Sequence, residues 1–203
     1  LEKFLDYNIP FNKEDNMSTK VNLKIVQGGT FSRVLRWESP EKVYKHISGI
    51  LKTAPVEIST VEAHGVPEGW RVKISNVLGM KELNTETYYP VSKVLPGSFQ
   101  INDINALGFN TYTSGGVVEY NKPASLENIT GRMQIRSKVT SEEVILELNV
   151  SNGGIIIDND LKTIIILITA EQTASLDFVT AVYSLELMEG NVVIPFINGS
   201  ISL

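Results

Sequence analysis

The sequence contains no cysteine in 203 residues. That excludes disulfides, thiolate metal sites and a cysteine nucleophile, and it leaves packing and hydrogen bonding to hold any fold together. Histidine is almost as scarce. His46 and His64 stand in separate segments with no third ligand at metal spacing, so no metal centre is expected. No apolar run approaches the roughly 20 residues that span a bilayer as a helix: Ile155–Ile157 and Ile164–Ile168 are parted by a polar break. No membrane partner is expected. Basic excess is also missing, because the formal net charge is -5. A chain of that balance has no surplus of cations to neutralise a phosphate backbone, and no nucleic acid is expected as a partner. Residues 1–16 are acidic and mixed, without the cationic start and apolar stretch of a secretory signal, and synthesis in the cytoplasm is the expectation.

Reactive motifs are missing too. There is no Gly-x-Ser-x-Gly elbow for a serine nucleophile. Gly28-Gly29 and Gly115-Gly116 lack the lysine and threonine of a phosphate loop and read as hairpin turns. Glu142 and Glu143 are neighbours, and on a strand adjacent side chains point to opposite faces, badly placed to flank one glycosidic bond. Asp158-Asn159-Asp160 offers oxygen ligands for a hard cation, but the same residues between two isoleucine-rich strands are what a hairpin turn uses. His64, directly before Gly65, reads as a turn cap. Catalytic residues, cofactors and metals are therefore all expected to be none.

What the sequence has in abundance is period-two alternation. Val21, Leu23 and Ile25 alternate with polar neighbours, Gln27–Thr30 supplies a turn, and Phe31–Trp37 resumes, which is most simply a hairpin. Pro40 interrupts, and residues 41–50 fit a short helical turn or the approach to a strand. Val56–Val61 and Trp70–Val77 alternate strictly across a turn-rich link and are expected to pair. Short strands closed by turn residues continue to the end. Thr169 with Gln172 three residues on forms a capping box for one short helix. So many short strands predict an all-β chain, a sandwich or small barrels.

Three stretches resemble a known group. Ala63-His-Gly-Val-Pro-Glu-Gly-Trp-Arg-Val, with Gly79-Met-Lys-Glu-Leu-Asn after it, resembles the small β domain of many phage tail and virion proteins. Leu126-Glu-Asn-Ile-Thr-Gly-Arg-Met-Gln-Ile-Arg is similar to a strand of the immunoglobulin-like domain that opens baseplate upper proteins. Gln27-Gly-Gly-Thr-Phe resembles the first hairpin of that domain, and Thr180-Ala-Val-Tyr-Ser-Leu-Glu-Leu its penultimate strand. The resemblance implies an immunoglobulin-like β-sandwich formed by two separated segments, 17–40 and 122–203. A small β-barrel-like domain, 41–121, is inserted between them, and residues 1–16 form an N-terminal arm.

It implies further a tailed-phage virion structural protein, in the tail or baseplate, that connects other particle proteins or supports receptor-binding fibres. Multiple copies would sit in each particle, with other virion structural proteins as partners. A capsid decoration or head fibre protein is the neighbouring alternative. A carbohydrate-binding module using Trp37 or Trp70 with Tyr88, Tyr89 and Tyr112 is the alternative of a different class. On the arm, Phe4, Tyr7, Ile9 and Phe11 are the candidate anchors, since such side chains are costly to leave in water.

Overall fold

A computed structural model describes residues 7–10 and 18–203. In chain order the strands are β1 (Tyr7–Pro10), β2 (Thr19–Lys20), β3 (Leu23–Lys24), β4 (Phe31–Leu51), β5 (Val56–Thr60), β6 (Arg71–Leu78), β7 (Tyr89–Leu95), β8 (Ser98–Ile101) and β9 (Ser114–Pro123). They continue as β10 (Ile129–Arg136), β11 (Leu146–Asn149), β12 (Ile155–Asp158), β13 (Thr163–Ile168), β14 (Thr180–Glu189) and β15 (Val192–Ser202). A 3₁₀ turn at Lys81–Leu83 and one helix, α1 (Ala170–Ala174), complete the described elements. The chain is all-β, and it divides into two compact units: Leu1–Pro40 with Pro123–Leu203, and Glu41–Lys122.

The first unit is a sandwich. One sheet runs β12-β13-β4, with β1 added in parallel on β4. The other runs β11-β10-β14-β15, with β2 and β3 in parallel on β15. Alternation decides which side chains meet between them: Leu35 and Trp37 from β4 and Ile164, Ile166 and Ile168 from β13 share a core with Met133, Ile135, Leu185, Leu187 and Ile201. A register shift in the β14–β15 pairing leaves Phe196 without a partner position, so Phe196 and Ile197 are consecutive and both buried. The Phe196 ring lies 5.7 Å from Trp37.

The hairpin expected from Val21 to Trp37 does not form. β2 and β3 join β15 in one sheet, whereas β4 joins β13 in the other. Both segments alternate because each supplies one wall of the same core, and alternation cannot tell a partner strand from a facing one. The Gln27 amide donates to the carbonyl of Leu176 at 2.8 Å where the chain changes sheet. The strand also fails to stop at Pro40. β4 is continuous from Phe31 to Leu51, and the open choice over residues 41–50 resolves as strand. Pro40 lies beyond the last residue paired with β1, Glu38, and before the first paired with β5, Ile47, so its missing N–H costs neither of those ladders a bond.

The second unit is a closed barrel. Its strands follow the order β4-β5-β8-β7-β6-β9, and pairing of β4 with β9 completes the ring. The pairing expected between Val56–Val61 and Trp70–Val77 is absent, because β8 and β7 stand between β5 and β6. Closure leaves every one of the six strands two neighbours, which removes free edges. Trp70, Phe99, Ile58, Ile74, Val118 and Met80 fill the interior. The Trp70 indole N–H donates to the carbonyl of Asn121 at 2.8 Å, satisfying a buried polar group beside β9.

Candidate interaction surfaces

The residues that carried the sequence resemblance build turns and strands. His64 is buried, its Nδ1 accepting from the Val66 N–H at 3.0 Å while Nε2 faces the Ser98 carbonyl at 3.3 Å. The Tyr120 hydroxyl donates to the His64 carbonyl. With both ring nitrogens occupied by backbone, the imidazole is a turn cap. Gly79 has φ +84, and a Cβ there would run into the Thr111 carbonyl. Met80 and Leu83 are buried, and the Asn84 amide bonds both the N–H and the carbonyl of Val77, at 2.8 and 3.0 Å. Asn84 thus continues the edge of β6 as a strand backbone would.

Asp158-Asn159-Asp160 turns β12 into β13. The Asp158 carboxylate accepts from the N–H groups of Asp160 and Leu161 at 2.9 and 2.8 Å, and Asn159 accepts from Leu126 N–H and Lys162 Nζ. Those oxygens are committed to the turn. Glu142 and Glu143 lie in a loop and not on a strand, both exposed. Trp37 and Trp70 are buried in their respective cores, so neither presents an indole face on which a sugar could stack.

Of the candidate anchors, Phe4 and Phe11 lie outside the described residues. Tyr7 and Ile9 lie on β1, with Tyr7 opposite Leu35 and Ile9 opposite Trp37. Ile9 is 2% exposed within the chain's own sandwich core, so its side chain leaves water without the help of a neighbour.

Two outward-facing arrangements escaped the sequence reading. On the barrel, Lys73 and Glu119 are directly opposite across β6 and β9. Glu119 is approached by Lys73 at 3.1 Å and Lys42 at 3.2 Å, and the Tyr88 hydroxyl donates to it. Lys42 in turn donates to Tyr88 at 2.6 Å and lies 4.7 Å from its ring centroid. Burial works to raise the Glu119 pKa, but hydrogen bonds from Tyr88, Lys73 and Lys42 outweigh it and hold the carboxyl below the usual range. Lys73 is pushed up by its bonds to Glu119 and Glu86. A carboxylate held by donors on β4, on β6 and just before β7 is a brace between strands. The alternation of β6 and β9 marks both residues as outward; only the register brings them together.

The second arrangement lies on the outer face of the sheet holding β10, β14, β15 and β2. Gln134, Ser184, Asn198 and Lys20 occupy one cross-strand row, and Arg136, Val182 and Ser200 the next. They line a groove of about 520 Å³. Among the described residues no group of three histidine, aspartate or glutamate side chains is placed to hold a metal, and no helix is long and apolar enough to cross a membrane.

Residues 52–122 are similar to the family described as the ubiquitin-activating enzyme E1 FCCH domain. The matched segment covers β5 to β9 nearly entire and leaves out most of β4, the strand that closes the ring. No curated protein matches the sequence.

Proposed function

We propose that this chain is a structural component of a tailed-phage particle, placed in the tail or baseplate, made in the cytoplasm of the bacterial host and present in multiple copies. It works by association with other particle proteins, linking them or supporting receptor-binding fibres, and it is not an enzyme. The observation that carries the reading is the role of the residues behind the resemblance. His64, Gly79, Asn84, Met133 and Ile135 are all turn-builders or core residues, so the shared pattern preserves two β modules and not a reaction centre.

The sandwich supplies a means of association. β11 and β12 each end their sheet among the described residues, and a sheet edge offers unpaired N–H and carbonyl groups to a strand from a neighbour. Copy number then multiplies modest pairwise contacts through effective concentration. The test is a particle reconstruction from phage produced with this chain carrying a small tag, together with mass spectrometry of the purified particles. Density and peptides in the tail or baseplate support the reading. Density on the capsid surface would move the chain to head decoration, and absence from purified particles would overturn the structural role altogether.

A further inference from the structure

The groove on the outer face of the sandwich is a polar array with an unbalanced charge. Strand register stacks Gln134, Ser184, Asn198 and Lys20 across four strands in one row, with Arg136, Val182 and Ser200 beside them. The intervening residues Ile135, Tyr183, Leu185, Ile197 and Ile201 are buried, so the pleat turns this whole set outward. Among the lining residues there are two cations and no carboxylate, in a chain whose formal net charge is -5.

The two cations are in different states. Arg136 is held in place by neutral acceptors, donating to the carbonyls of Ser141 and Glu142 at 2.7 Å each and to Gln134 Oε1 at 2.8 Å. No ion pair neutralises it among the described residues, and a guanidinium has five N–H donors, so donors remain for a ligand. Lys20 is exposed and makes no hydrogen bond or ion pair among the described residues. The hydroxyls of Ser184 and Ser200 are likewise without a partner among the described residues. Glu147, the nearest carboxylate by register, accepts from Gln134 and stays outside the lining.

We propose that this groove binds an acidic sugar chain. Carboxylate, sulfate or phosphate groups on the chain would meet Arg136 and Lys20, and its hydroxyls would meet the hydroxyls of Ser184 and Ser200 and the amides of Asn22 and Asn198. The groove's volume falls within the usual range for ligand sites, roughly 300–1,000 Å³. Val139 and Val182 add apolar wall for the C–H faces of sugar rings. An acidic peptide fits less well, because the floor is a sheet face whose backbone groups are already paired, leaving no ladder for a peptide strand to extend. The proposal is independent of the particle role.

The experiment is an NMR titration of the full chain with oligogalacturonate, a sulfated oligosaccharide and a phosphorylated oligosaccharide, with maltotetraose and poly-glutamate as comparators. At least one acidic sugar should shift amides on β10, β14 and β15 around the lining residues. Lys20→Gln and Arg136→Gln should each weaken it, Arg136→Gln by about ten-fold, the loss of one charge-assisted hydrogen bond. Lys20→Gln keeps the test valid if Arg136→Gln loosens the 141–142 loop, since the Lys20 side chain makes no hydrogen bond or ion pair among the described residues. Silence from all three acidic sugars, equal binding of maltotetraose, tighter binding of poly-glutamate, or indifference to both substitutions would overturn it.

Discussion

The two units of this chain solve the same problem with opposite connectivity. The barrel draws its strands from one continuous stretch, Glu41–Lys122, and closes on itself. The sandwich draws on both ends of the chain: the Tyr183 hydroxyl donates to the Val21 carbonyl at 2.7 Å across 162 residues of sequence, and β2 and β3 pair with the last strand, β15. Loop closure of that length costs only slowly increasing entropy, so stability does not suffer much from the insertion. What changes is dependence. Every barrel strand can find its neighbours locally, whereas one sheet of the sandwich is incomplete until β15 joins β2 and β3 to β14.

Removing residues 192–203 should therefore have the largest effect and a one-sided one. β15 is the strand on which β14, β2 and β3 all pair, so amide exchange protection should vanish throughout the sandwich and persist in β5 to β9. Loss of protection in both units would show that the barrel depends on the sandwich. Trp70→Ala is the mirror experiment. It empties the centre of the barrel and removes the indole N–H donated to the Asn121 carbonyl, at a cost of about 3–5 kcal/mol, and urea unfolding followed by NMR should show the loss in barrel residues while Leu185 and Phe196 keep their native shifts.

His64→Ala should cost the barrel about 1–3 kcal/mol by leaving the buried Val66 N–H without an acceptor. His64→Asn should recover part of that, because an asparagine side chain accepts from the N–H two residues on. Equal destabilisation by both would mean that the ring's packing against Phe99, 5.1 Å away edge-on, matters more than the cap. The smallest effect belongs to the surface brace. Glu119→Gln should cost about 1 kcal/mol at neutral pH. A carboxyl whose folded pKa is depressed adds stability that is complete above its ordinary value of 4.5 and is lost as pH falls through the lower folded value. The wild type and Glu119→Gln should thus differ in urea midpoint at pH 7 and converge in acid; a constant gap would remove Glu119 from the account.

The part of this fold that was legible was the part that alternation and turn chemistry encode. Val72, Ile74, Val118 and Tyr120 are buried and Lys73 and Glu119 face outward as their period-two positions require. His64 before Gly65, Thr169 with Gln172 and Asp158-Asn159-Asp160 form the local structures their side chains specify. Strand partnership was not legible. Val21–Ile25 and Phe31–Trp37 look like a hairpin yet lie in facing sheets, and Val56–Thr60 is separated from Arg71–Leu78 by two strands that come later in the chain. The outward rows of Lys42, Lys73 and Glu119 and of Gln134, Arg136, Ser184 and Lys20 were hidden for the same reason, since each row is assembled by register.

The sequence by itself determined that this chain is all-β, that it carries no cysteine chemistry, and that its strictly alternating segments turn one face to a core, because successive side chains on a strand point to opposite faces. Only the tertiary structure decided which strands are neighbours, that one unit closes into a ring while the other keeps open edges, and which outward residues share a surface. Those depend on pairings between residues tens to more than a hundred positions apart, and an alternating pattern reads the same whichever partner the strand finally meets.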